Sequence, residues 1–535
     1  MISENDAHSA KKSFFSGVAL LTASALAVKL IGLFYKIPLV NLIGIEGMAY
    51  FLAAYHVYTL LFVISTAGLP VAVSIIVSKR RAVGDLSGAE AVFFCSLKVF
   101  AVLGVLCTAA MWLGAESIAG AIRIPEAAAS LRAIAPALFF VAVGSAVKGY
   151  FQGIGLMYPT GISQVLESAG KLGFGLLLAK YAMDKGEHFY VCAAYAIAGI
   201  TLGSALSCAY LLFLKFKKRA EKPSKYKKGI IAELLKKAAP ITLGAAVISL
   251  CGAVDTALIS SRLQVAGFDP TIANSMYSSY GNLAIPLYNI VPSFIAPIAV
   301  AIAPMLARAH QMGERERERS LINSAMKLCA LISVPASFGL SVFAEPILSL
   351  IYPSQSVGIN TAAPLLSVLA PAVFFSCMIT VTNSVLQAYG KERKPIVSML
   401  VGTVLKITLE YILLGMPQIN IYAAPISTLA CNFTIVFLNI GYTEKYSGGT
   451  GFAKKLTRPM LAAATATAIS SALYFLFRGT GAGNSIATLT AIALDVLFYI
   501  IVATLNGSFE EDDLALLPRG DKIIKVMKKI KMLRS

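Results

Sequence analysis

Long apolar runs recur along the whole chain, separated by short polar stretches. A helix rises 1.5 Å per residue, so crossing a hydrocarbon core of about 30 Å takes about 20 mostly apolar residues. About 14 runs reach that length: 14–40, 48–77, 91–115, 128–152, 156–180, 189–214, 236–262, 271–306, 322–350, 360–388, 395–415, 420–443, 459–478 and 482–505. They are continuous rather than alternating, which predicts spanning helices and not the strands of a barrel. The first run is too long for the apolar part of a cleaved leader and holds Lys29 and Lys36, so it reads as a first span. The fold class expected is an all-α integral membrane protein.

The polar stretches orient these spans. With Lys11 and Lys12 in the cytoplasm, alternate loops should be basic. They are: Lys79 to Arg81; Lys215 to Lys228; Arg315, Arg317 and Arg319; Lys391, Arg393 and Lys394; Lys454, Lys455 and Arg458. The opposite loops carry Arg123, Lys185 and little else. An even span count with both termini inside follows. Beyond the last span, Ile523, Met527 and Ile530 share a face among lysines at 522, 525, 528, 529 and 531. That pattern suits either an amphipathic helix on anionic lipid or a solvated basic tail.

Composition agrees. The 535 residues are 57% hydrophobic and 14% charged, against about 25% charged in soluble domains. Mean hydropathy is +0.75. The net charge of +19 sits mostly in the loops and tail, so it reflects orientation and not a nucleic-acid partner. The eight cysteines include no CxxC pair and the four histidines are scattered, so neither a metal nor a cofactor is expected. No HExxH, P-loop or nucleophile triad is present, which argues against an enzyme.

Two segments repeat six spans apart. Pro70-Val-Ala-Val-Ser-Ile corresponds to Pro297-Ile-Ala-Val-Ala-Ile, and Phe151-Gln-Gly-Ile-Gly155 with Pro159 to Leu386-Gln-Ala-Tyr-Gly390 with Pro395. Six is even, so both halves share one orientation, a parallel repeat about an axis along the membrane normal. The expected layout is a cytoplasmic tail (1–13), an N-lobe of six spans (14–214), a basic linker (215–235) and a C-lobe of six spans (236–443). A cytoplasmic loop (444–458), two further spans (459–505) and a basic tail (506–535) follow. Two pseudo-twofold lobes predict alternating access around a cavity. Gly153, Gly155, Gly170, Gly173 and Gly175 read as close helix packing and not as a phosphate cradle.

Ionisable groups inside spans are costly and therefore candidates for function. Lys98 and Lys148 lie in cytoplasmic halves, where they could snorkel. Glu167 and Lys171 in span five, and Lys406 and Glu410 in span eleven, are spaced i, i+4 and could neutralise one another. Lys36 falls near the outer interface. Lys29 lies mid-span with no acid three or four residues away. The simplest account is a wet face on which Lys29 awaits an anion, with Asp255 as its fixed counter-charge or as a proton- or cation-coupling group. Arg262 ends span seven. These candidates lean basic, which favours an anionic substrate.

The run Lys29-Leu-Ile-Gly-Leu-Phe-Tyr-Lys36-Ile-Pro38, then Gly44-Ile-Glu-Gly47, Tyr55-His-Val-Tyr58 and Ser65-Thr-Ala-Gly-Leu-Pro70, resembles the stage V sporulation protein B-like polysaccharide transporters. These belong to the multidrug/oligosaccharidyl-lipid/polysaccharide flippase superfamily. The proline-rich eighth span (Pro286, Pro292, Pro297, Pro304) and Leu517-Pro-Arg-Gly520 fit as well. The resemblance implies two six-helix bundles plus two helices in a bacterial cytoplasmic membrane. It implies flipping of undecaprenyl-pyrophosphate-linked sugars, lipid II among them, with membrane lipids and wall or polysaccharide synthesis proteins as neighbours. In related lipid II flippases cavity cations contact the pyrophosphate, a role the resemblance passes to Lys29. His56 departs from the family's Tyr-Pro, implying a helix without the kink or a polar cavity group. The other reading is a cation-coupled multidrug antiporter of the same superfamily, with Asp255, Glu167 and Glu410 as coupling acids.

Overall fold

A computed structural model describes residues 4–66, 69–217, 229–447, 452–479 and 483–508. The side chains of residues 4–23, of Lys29 and of several positions in the helices below fall outside that description, as do the basic linker beyond Lys217 and the C-terminal tail.

Every regular element among the described residues is helical. In order they are α1 (Glu4–Thr66), α2 (Leu69–Ala82), α3 (Leu86–Leu113), α4 (Ala115–Ala121), α5 (Ala127–Gly153), α6 (Tyr158–Asp184), α7 (Phe189–Lys217), α8 (Ile230–Val265), α9 (Pro270–Ser278) and α10 (Ile285–Gln311). Then come α11 (Arg315–Val342), α12 (Ala344–Ile351), α13 (Ser356–Leu369), α14 (Pro371–Ala388), α15 (Arg393–Leu413), α16 (Ala423–Ser447), α17 (Phe452–Gly479) and α18 (Asn484–Leu505). Helices close their backbone hydrogen bonds internally, which a lipid environment requires. Ten segments among the described residues are long and apolar enough to cross a membrane. Of the other expected spans, 14–40, 236–262 and 271–306 include side chains outside the description. The span 156–180 is the more polar α6, which carries Gln164, Glu167, Ser168 and Lys171.

Several spans are broken in ways hydropathy does not reveal. α1 runs through the first expected span and most of the second, which ends in α2, and changes direction at Gly44, whose φ of 69° is open to glycine. The eighth expected span is α9, a π-helical stretch (Ser279–Ala284), then α10. The tenth divides at Ala370 into α13 and α14, with Pro371 opening the second piece.

The chain forms two compact units: Met1–Ser261 with Asp269–Ser278, and Arg262–Phe268 with Ser279–Ser535. In the first, Leu69, Val73, Ile76 and Val77 of α2 pack with Val92 of α3, Ala142 and Ala146 of α5, and Ile230 and Leu234 of α8. In the second, Phe343 and Tyr474 pack with Ala487 and Ala491, docking α17 and α18.

The repeated junctions fold alike. Gly155 and Gly390 are left-handed, at φ 81° and 66°. Gly155 N–H donates to Gln152 O at 3.0 Å and Leu156 N–H to Phe151 O at 2.9 Å; Gly390 N–H donates to Gln387 O and Lys391 N–H to Leu386 O, both at 2.9 Å. Each is a helix C-cap in which the glycine reverses the chain and the orphan carbonyls are satisfied.

Candidate functional site

In the first unit α6 and α7 cross on glycines. A Cβ on Gly170 would lie 2.7 Å from Gly203 Cα, and one on Gly199 would lie 2.4 Å from Gly175 Cα. Helices in lipid associate where small residues let backbones approach, so the packing reading holds for Gly170 and Gly175. It holds also for Gly153, whose Cβ would meet Ser74 O of α2 at 2.8 Å. Gly173 faces open space and Gly155 serves the turn.

This crossing bounds a cavity of about 300 Å³ lined by Tyr35, Tyr55 and Tyr58 of α1 and by Glu167, Ser168 and Lys171 of α6, among others. Lys171 Nζ sits 4.9 Å from the ring centroid of Tyr35 and 5.1 Å from that of Tyr55. Tyr35 is anchored by donating to Ala196 O at 3.1 Å. Among the described residues Lys171 makes no ion pair, so the pairing with Glu167 expected from i, i+4 spacing is not formed. Glu167 turns instead to Lys148 of α5, with Nζ–Oε2 at 3.6 Å, and accepts from Ser204 of α7 at 3.4 Å. The physical reason is that α5 brings a second cation to the carboxylate while the tyrosine faces hold the first. Lys148 therefore has a partner, whereas Lys98 is exposed on α3. Lys36 is partly buried on α1, close enough to Lys171 for the two cations to repel. The Lys29 side chain lies outside the described residues.

His56 lies in an unkinked stretch of α1. Its Nδ1 is 2.6 Å from Thr256 Oγ1 on α8 and 3.2 Å from Tyr277 OH on α9, and these two hydroxyls are 2.9 Å apart. Asp255, next along α8, is half-buried.

In the second unit the span-eleven pair forms as its spacing predicts. Lys406 Nζ is 3.7 Å from Glu410 Oε1, and the same oxygen accepts from Ser427 of α16 at 3.0 Å. Each unit thus carries a half-buried or buried carboxylate with a lysine and a serine of the next helix. Arg262 is used structurally. Its Nε donates to Tyr411 O at 3.0 Å and its guanidinium stacks on the Tyr411 ring at 4.2 Å, against the last turn of α15. The structure brings Glu167, Lys171 and Lys36 into one neighbourhood and places Lys406 with Glu410.

Sequence reading missed the tyrosine wall, although Tyr35, Tyr55 and Tyr58 stand in the motifs that carried the resemblance. It also missed two clusters at helix ends. In the first unit Lys215 Nζ bridges both oxygens of Glu90, at 2.8 and 2.7 Å, with the Tyr150 hydroxyl donating to the same carboxylate. In the second, Glu318 accepts from Tyr389 at 2.8 Å and lies 3.3 Å from His310 Nδ1. Nothing local in the sequence links these residues.

Apolar helices long enough to span, and buried charges facing a cavity instead of lipid, define a multi-pass membrane transporter class. Residues 14–310, more than half of the chain, match the Polysaccharide biosynthesis protein family, and the chain belongs to that family. Residues 278–412 also match the MatE family. Among curated proteins of Bacillus subtilis (strain 168), the chain is 26% identical to the lipid II flippase MurJ over 80% of this chain and 83% of that one. It is 24% identical to stage V sporulation protein B over 96% and 99%, and 25% identical to the uncharacterized membrane protein YabM over 96% and 97%. Among solved structures it resembles lipid II flippase MurJ in an inward closed conformation, with TM-score 0.69, 15% identity, 91% of this chain and 98% of that one. It also resembles a multidrug resistance MATE family transporter of the MOP superfamily in an inward-facing conformation, with TM-score 0.65, 18% identity, 79% and 94%. The protein is a multi-pass membrane transporter of this superfamily, not an enzyme.

Proposed function

We propose that the protein flips an undecaprenyl-pyrophosphate-linked saccharide, lipid II or a polysaccharide repeat unit, across a bacterial cytoplasmic membrane by alternating access. In this reading the chain has 14 spans with both termini inside, arranged as two six-span lobes and a final pair. The observation that carries it is Lys171, an ammonium held between two tyrosine faces in a cavity and in no ion pair among the described residues, with Lys36 near it. A desolvated ammonium in a cavity, beyond ion-pair distance of the neighbouring Glu167, favours an anion, and a second lysine beside it suits a pyrophosphate. Tyrosine faces beside the cation give a sugar ring an apolar surface and hydroxyls to bond. Lys29, about two helical turns before Lys36 on α1, adds a third positive position. Glu167 and Asp255 balance or couple these charges in the first unit; in the second, Lys406 pairs with Glu410 and Arg262 steadies α15. No nucleotide-binding motif is present, so the driving force is an ion gradient or the consumption of product outside.

The test is reconstitution into liposomes with a fluorescent polyprenyl-pyrophosphate saccharide and an outside quencher. Lys29→Gln and Lys171→Met abolish flipping with folded protein retained, and Lys29→Arg keeps part of it. Normal flipping by both neutral variants sinks the assignment. Gradient-driven efflux of a cationic dye, with no flipping, establishes the antiporter reading instead.

A further inference from the structure

The α17–α18 pair holds buried polar groups that lie outside the cavity described above. Asp495 lies midway along α18, about 16 Å from either end at 1.5 Å per residue, and is 8% exposed. Its Oδ2 faces α11 at Gly339, where a Cβ would approach to 3.5 Å. Among the described residues its Oδ1 has no hydrogen-bond partner. Nor do the hydroxyls of Thr467 and Ser470, which are buried on one face of α17, with Thr467 in interaction range of the carboxylate. Tyr499, one turn from Asp495, donates to Leu331 O at 2.9 Å and fixes α18 against α11.

Buried polar atoms are nearly always hydrogen-bonded, and a carboxylate at membrane depth needs neutralising. Among the described residues, three buried oxygens on two adjoining helices lack a well-formed hydrogen bond, even with Thr467 near enough to the carboxylate to interact, and together they mark a missing neighbour. A water would serve the hydroxyls but leave the charge. An all-oxygen set built on one carboxylate suits a small hard cation. We propose that Asp495, with Thr467 and Ser470, forms an exchangeable cation site taking one proton or one Na⁺. The binding is independent of the lipid-flipping reading; its use to drive transport rests on that reading.

The test uses the purified full-length protein in lipid nanodiscs, with thermal unfolding followed at constant ionic strength. In the sodium arm, NaCl replaces choline chloride, and KCl serves as control. A saturable rise in Tm with Na⁺, absent in Asp495→Asn, assigns Na⁺. Thr467→Val then raises the half-saturating Na⁺ concentration roughly 5- to 30-fold, the loss of one ligand oxygen. In the proton arm, without Na⁺, the infrared band of a protonated carboxyl appears on acidification from about pH 8.5 to about pH 5 and is lost in Asp495→Asn. If that variant fails to fold, the Thr467→Val shift and the wild-type responses decide. Wild-type protein with neither response overturns the site. Flipping lost with the cation response intact overturns the lipid reading instead.

Discussion

Lys215→Met isolates the buried ion pair between α7 and α3 in the first unit. Methionine keeps the length of the stem and removes the charge. Lys215 and Glu90 side chains are only 5% and 7% exposed, with Nζ 2.7 Å from Oε2. The ammonium also lies 4.1 Å from the Tyr150 ring centroid and 4.7 Å from that of Phe93. Removing one partner of a buried pair strands the other, at a cost of about 3–5 kcal/mol. The lost cation–π contacts lie within that figure, since the substitution removes them together with the pair. At about 2 °C per kcal/mol or more for a unit of this size, Tm falls by at least roughly 6 °C. Glu90→Gln on the Lys215→Met background removes the stranded charge and leaves an amide that can still accept from Tyr150. That double variant recovers to within about 1–2 kcal/mol of wild type, since replacing both members of a buried pair is often close to neutral. Unfolding in detergent, read by intrinsic fluorescence and by exposure of the buried cysteines, measures all three proteins. A single variant within about 1 °C of wild type, or additive effects in the double, would refute a desolvated, coupled pair.

Three further outcomes follow from other contacts. Gly415→Ala displaces Arg262, because the new Cβ would lie 2.4 Å from a guanidinium nitrogen; the loss of about 1–3 kcal/mol is largely absent when Arg262→Ala is already present, as a double-mutant cycle will read. Glu167→Gln leaves Lys148 without its ion pair while Ser204 can still donate; flipping falls, and charge-swapping to Lys148→Glu with Glu167→Lys restores part of it. Asp85 accepts from Gly88 N–H at 2.8 Å and from Arg80 at 3.0 Å, and these hold its carboxyl below the usual range. A depressed folded value stabilises above the unfolded one, near 3.9. The α2–α3 turn therefore loses this contribution only as pH falls through the folded value, and amide exchange at Gly88 accelerates there in wild type but is already fast in Asp85→Ala.

Helical spans were legible because hydropathy is local: the run at 482–505 reads as α18 whatever surrounds it. The junctions at Phe151–Gly155 and Leu386–Gly390 were legible for the same reason, since a helix cap is settled within six residues. So was Lys406 with Glu410, one turn apart on one helix. Glu167 and Lys171 show the limit. Their spacing is the same kind, yet the carboxylate takes Lys148 and the ammonium takes Tyr35 and Tyr55, because the glycine crossing of α6 and α7 and the packing of α5 and α1 place other partners nearer. His56 with Thr256 and Tyr277, and Glu90 with Lys215, join residues far apart in the chain. Sequence alone determined where this chain is apolar and which charges stand inside its long apolar runs. Tertiary structure decided which of those charges meet, because inside a low-dielectric interior the partner is whichever group packing brings within a few ångströms.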